Sequence, residues 1–219
     1  MHTFATPHPL SVAVDVPAGR VRLVAGPRTD TTVELRPTDP SRRRDTAAAE
    51  RTDVELREGV LRITTPVRHE LLGPSGQVDV TVHLPAGSDV RVDGSAQTQA
   101  VGRLGDVTVA GSYGAVTLDE VATARITAAA GDVVVGRLAG PAEIATTKGD
   151  VRVSEAHGGR VVLSTQMGDI DVTAAAGVAA TLDAGTALGR VSDALRTDGT
   201  PQLAVTATTS LGDITARSL

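Results

Sequence analysis

Gly131-Asp132-Val133-Val134-Val135, Gly149-Asp150-Val151-Arg152-Val153 and Gly168-Asp169-Ile170-Asp171-Val172 are three copies of one phrase, Gly-Asp-(Val/Ile)-x-Val. The phrase degenerates to Gly212–Ala216, while Gly114–Leu118 and Gly189–Asp193 hold the same place without the Asp. The six glycines, at 114, 131, 149, 168, 189 and 212, are spaced by 17, 18, 19, 21 and 23 residues. Periods near 20 residues point to a solenoid before any other fold. Two residues after each Gly stand Val116, Val133, Val151, Ile170, Val191 and Ile214. Five before it stand Val109, Ile126, Ile144, Leu163, Ala184 and Ala207, and seven before it Ala124, Ala142, Val161, Leu182 and Val205. That is period 2 in both arms, so each coil supplies two short strands with one buried face apiece. The positions between are polar or small, and outer neighbours on adjacent coils pair in sign, Arg125 on Glu143 and Arg152 on Asp171. Such pairs favour the in-register stack over a slipped one.

Upstream the repeat dissolves into short strands and turns. Ser11–Val16, Arg20–Val24, Thr32–Arg36, Asp53–Arg57, Val60–Thr64 and Gln77–Leu84 alternate apolar with polar residues. Pro17-Ala18-Gly19 and Pro85-Ala86-Gly87 are matching turn signals. The break at Pro37–Glu50 admits one short helix, Asp45–Arg51, and Thr65–Gly76 reads as an exposed loop. The expectation is an all-β chain: a β-solenoid of about six coils over residues 93–219, closed by an N-terminal β-strand cap over residues 1–92. Arms of about nine residues also fit hairpins, so an antiparallel β-meander or sandwich is the alternative. Strand pairing separates the two, with Val133 beside Val151 and Ile170 in the solenoid, or opposite Ile126 in the meander.

Two repeated polar residues are the candidates for chemistry. Thr146, Thr165, Thr186 and Thr209 stand three residues before the Gly on the inward face. That placement suits hydroxyls bonded to turn backbone better than an exposed ice-binding row. Asp132, Asp150, Asp169 and Asp213 form a column at one corner, the only candidates for a metal site. Calcium takes six to eight oxygens, and one carboxylate per coil, interrupted by Arg190, supplies too few. Asx turns, with Gly supplying positive φ, are the reading preferred.

Other searches return no catalytic or cofactor-binding residue and imply no cofactor. His2, His8, His69, His83 and His157 show no metal-ligand spacing, and no nucleophile elbow, Walker loop or Gly-x-Gly-x-x-Gly is present. Arg42-Arg43-Arg44 reads as a solvated loop, and Tyr113 beside Gly114 as a cap on the core or a binding residue. The aromatic fraction is 1%, only Phe4 and Tyr113, which removes the stacking platforms of single-strand nucleic-acid and many sugar sites. A net charge of −5 disfavours nucleic acid and anionic membranes. Without Cys there are no disulfides, thiolate sites or Cys nucleophile. Met1–Pro9 lacks a basic n-region and no apolar run reaches the roughly 18 residues of a membrane span, so a cytoplasmic protein without membrane insertion is expected.

Phe4-x-Thr6-Pro7-x-Pro9, Val14-x-Val16, Arg28-Thr29-Asp30 and Val78-x-Val80-x-Val82-x-Leu84-Pro85-Ala86-Gly87-Ser88 carry a resemblance. So do Gly102-Arg103-Leu104-Gly105 and Thr209-Ser210-x-Gly212-Asp213-Ile214-Thr215. Across essentially its whole length the chain resembles the actinobacterial putative-adhesin family of β-strand-repeat proteins of unknown function. The resemblance implies a β-solenoid-like repeat and brings no site residues with it. The function expected is a non-enzymatic interaction or scaffold protein, with an unknown protein partner or self-association and no small-molecule substrate. A cell-surface adhesin-like protein is the alternative. A polysaccharide-active β-helix enzyme is the third reading, short of the aromatics its groove needs.

Overall fold

The computed structural model describes residues 1–66 and 76–219. His69 and most of the Thr65–Gly76 loop expectation therefore lie outside the described residues. The chain divides into two compact units, Met1–Gly114 and Ala115–Leu219. Both are built of strands, as the period-2 alternation requires, and the one described helix has nine residues.

The first unit holds β1 (His2–Ala5), β2 (Ser11–Asp15), β3 (Gly19–Gly26), β4 (Asp30–Pro37), α1 (Arg43–Arg51), β5 (Asp53–Arg57), β6 (Val60–Thr64), β7 (Val78–Pro85), β8 (Asp89–Asp93) and β9 (Gln97–Ser112). β2 lies parallel between β6 and β8, and β3 lies parallel between β7 and the first part of β9. The β2–β3 pair thus sits inside the stack. Three antiparallel pairings are added to it: β5 on β6, β4 on β7 and β1 on β4. Val12, Val14, Val21, Leu23, Ile63, Val80, Val82 and Val92 are buried, the inward set that alternation selects. Arg43 and Arg44 are not loop residues but open α1, whose Asp45 accepts the Gln77 amide at 3.1 Å and whose Ala48 is buried.

The second unit holds β10 (Val116–Ala128), β11 (Val133–Leu138), β12 (Ala142–Lys148), β13 (Val151–Ala156), β14 (Gly159–Met167), β15 (Ile170–Ala174), β16 (Ala180–Leu188), β17 (Val191–Ala194), β18 (Leu203–Leu211) and β19 (Ile214–Ser218). They form two parallel ladders. One runs Val116, Val133, Val151, Ile170, Ile214, Val191. The other runs Ile126, Ile144, Leu163, Ala207, Ala184. Val133 lies beside Val151 and not opposite Ile126, so the solenoid holds and the meander does not. The register matches the alignment on Gly at every position of these two ladders.

The order of the coils differs from the expectation. Consecutive stacking would put the coil of Gly189 on that of Gly168, whereas β18–β19 intercalates between β14–β15 and β16–β17. Burial supplies the reason. Asp193 occupies the inward slot filled by Val135, Val153, Val172 and Ala216 on the other layers. A carboxylate cannot fill that slot inside the stack without a costly desolvation. Leu203, Val205, Ala207, Ile214 and Ala216 are fully apolar and buried, so they take the interior layer and leave β16–β17 at the end.

Candidate functional site

The Asp column is a backbone device. Asp132 Oδ1 accepts the Asp150 amide at 3.0 Å, Asp150 Oδ1 the Asp169 amide at 2.8 Å, and Asp169 Oδ1 the Asp213 amide at 2.7 Å. Each carboxylate therefore staples its own layer to the next through an N–H that no strand neighbour uses. Arg190, expected to interrupt the column, instead terminates it: its amide donates to Asp213 Oδ1 at 2.8 Å and its guanidinium lies 3.9 Å from Asp213 Oδ2. The Thr row works beside it. Thr165, Thr209 and Thr186 hydroxyls each donate at 3.0 Å to the Gly149, Gly168 and Gly212 carbonyls, and Thr146 reaches the Gly131 carbonyl at 3.5 Å.

Adding Ca²⁺ in millimolar excess is accordingly expected to leave the melting temperature unchanged. One oxygen per Asp is already engaged, and a ligand at 100 times its Kd would add about 2.7 kcal/mol, which a melt resolves. Asp150→Asn keeps the acceptor and should cost little, whereas Asp150→Ala removes the partner of the exposed Asp169 amide and should cost about 1 kcal/mol. An upward shift with Ca²⁺ that Asp150→Asn abolishes would make the column a metal site.

The site that sequence reading missed lies on the outer face of the first unit. Register aligns three rows of outward side chains across four strands. Arg36, Asp79, Arg20 and Gln97 form the first, Glu34, Thr81, Arg22 and Gln99 the second, and Thr32, His83, Val24 and Val101 the third. The first two rows with Val24 and His83 line a trough of about 590 Å³. Arg20 forks onto Asp79 Oδ2 at 3.1 and 2.5 Å, and the Thr38 hydroxyl donates to Asp79 Oδ1 at 2.7 Å. Partial burial works against the Asp79 charge, but the Arg20 and Thr38 hydrogen bonds and the Arg20 charge outweigh it and hold the carboxyl below its ordinary range. Arg36 bonds Glu34 at 2.6 Å. Arg22, exposed at the centre of the second row, makes no ion pair or side-chain hydrogen bond among the described residues. The arrangement offers one uncommitted guanidinium, amide donors and acceptors from Gln97 and Gln99, and an aliphatic end. These groups can donate and accept hydrogen bonds and pair with an anion.

Other sequence candidates stay apart from this trough. Tyr113 is 67% exposed, so it does not cap the core. His157 sits 3.2 Å from Glu155, a solvent-side pair in the second unit. Among the described residues no group of three or more metal-ligating side chains converges, and no helix is long and apolar enough to cross a membrane.

A family model described as Toastrack DUF4097 matches residues 14–218. No curated protein matches the chain. The chain is similar to a solved putative adhesin from Bacteroides fragilis at 10% identity, covering 98% of this chain and 95% of that one, with a TM-score of 0.48. It is also similar to a putative adhesin from Parabacteroides merdae at 12% identity, covering 100% and 95%, with a TM-score of 0.43. A putative cell adhesion protein from Clostridium sporogenes aligns at 9% identity, covering 100% and 98%, with a TM-score of 0.40.

Proposed function

The chain belongs to the Toastrack DUF4097 family, and from that premise we propose a non-enzymatic interaction module whose contact surface is the trough of the first unit. The observation that carries this reading is the uncommitted Arg22 between Thr81 and Gln99, on a wall whose other two guanidiniums are closed by carboxylates. The trough gathers these hydrogen-bonding groups into one concavity, the kind of surface on which ligands are held. Stacked coils supply a rigid floor under these groups, which lowers the ordering cost of binding. The cytoplasm is the compartment expected from the sequence, and an adhesin-like role at the cell surface is the narrower alternative; fractionation of the host separates them.

Affinity capture from the native host is expected to retain a partner on the wild-type protein and on Arg160→Glu, an exposed change in the second unit. The same partner should be lost on Arg22→Glu, with melting unchanged because Arg22 faces solvent. Equal capture by Arg22→Glu would remove the trough as the contact surface.

A further inference from the structure

We infer that the trough takes an extended acidic peptide, with a carboxylate on Arg22 and an aliphatic side chain two residues away against Val24 and Val101. This deepens the proposed function and rests on the trough being the contact surface. Charge sets the ligand class. Arg20, Arg22 and Arg36 face Glu34 and Asp79 across one wall, and the two ion pairs leave a single positive charge, that of Arg22. A guanidinium presents a donor fork that matches one carboxylate. A polyanion would meet Glu34 and Asp79 in the same wall, and phosphate recognition draws on clustered arginines that are not already neutralised. The lining also contains neither Phe4 nor Tyr113, so a sugar ring would find only the His83 imidazole to stack on.

Spacing sets the motif. Arg22 and Val24 are two residues apart on β3, and Val24 pairs with Val101, which is 39% exposed. Two residues of extended chain span about 6.6 Å, in β3 and in a ligand lying along it alike. An acidic residue and an aliphatic one separated by one position therefore meet Arg22 and the Val24–Val101 patch together. Gln97 and Gln99 stand beside this track with carboxamides able to donate to and accept from peptide groups.

The test is nuclear magnetic resonance titration of the full-length, ¹⁵N-labelled protein with the end-blocked peptide Ser-Gly-Glu-Ser-Val-Gly-Ser. The arms are the same peptide with Gln for Glu, the same with Ser for Val, and trigalacturonate. The expected result is a saturable shift of the Arg22 Nε–H and Gln99 side-chain resonances. Affinity should weaken about two- to five-fold with the Gln peptide or with Arg22→Gln in the protein, as loss of a solvent-exposed charge pair gives. It should weaken several-fold with the Ser-for-Val peptide and stay unchanged in Arg160→Gln. Equal shifts from the Glu and Gln peptides, or no shift at about 5 mM peptide, a concentration that even a millimolar Kd would register, would overturn the inference. A trough that answers trigalacturonate but not the peptide would also overturn it, while leaving the interaction reading standing. Host-partner capture that survives Arg22→Glu would bring down that reading itself.

Discussion

Ile144→Asp is expected to unfold the second unit at ordinary temperature. Ile144 is 1% exposed and lies in the parallel ladder between Ile126 and Leu163, both buried. The substitution deletes aliphatic packing and seals a carboxylate among side chains with nothing to donate to it. Large-to-small core changes cost about 2–5 kcal/mol, and an unpaired buried charge adds several more or neutralises at a comparable penalty. A typical domain has only ~5–15 kcal/mol in all. The neighbouring position supplies the control. Glu143 faces solvent and pairs with Arg125 at 2.8 Å, so Glu143→Asp loses at most an exposed ion pair, about 1 kcal/mol or less. Thermal melts of the two variants measure the difference, and equal stability would mean that inward and outward faces have been exchanged.

The inward set was legible because parity is local. Each strand announces its buried face within five residues, and the glycine phrase fixes the phase from one coil to the next. Layer order is not local. It depends on where the chain returns after residue 194, and the Gly spacing is the same for either order. One residue did carry the information: Asp193, standing where other coils place Val or Ala, marks a coil that must face water on one side. Aligned only on its Gly, that coil passes as an ordinary copy. The trough was out of reach for a related reason. Arg22, Glu34, Thr81 and Gln99 each read as ordinary outward residues, and they become one row only because β3 is inserted between β7 and β9. The intercalation of β2–β3 and that of β18–β19 are both tertiary choices, made by pairings between strands far apart in the sequence.

Gly212→Ala is expected to destabilise the second unit by roughly 3–5 kcal/mol, combining a backbone conformation reserved for Gly with overpacking against main chain. Gly212 has φ +146°, and a Cβ there would lie 2.0 Å from the Gly168 carbonyl oxygen and 2.8 Å from Asp169 Oδ1. Neither obstacle is the free end of a flexible side chain. The carbonyl of Gly168 belongs to the layer below and accepts the Thr209 hydroxyl, while Asp169 Oδ1 accepts the Asp213 amide. Making room for one methyl group therefore means parting two layers and losing both bonds at the corner where they are held. Gly185 in the end strand is the matched control. A Cβ there meets nothing within 4 Å and its φ is not positive, so Gly185→Ala should be neutral or slightly stabilising through the unfolded chain's lost entropy. Denaturant titration of both variants reads the contrast directly. If Gly212→Ala melted with Gly185→Ala, the corner would not be clamped against the layer of Gly168.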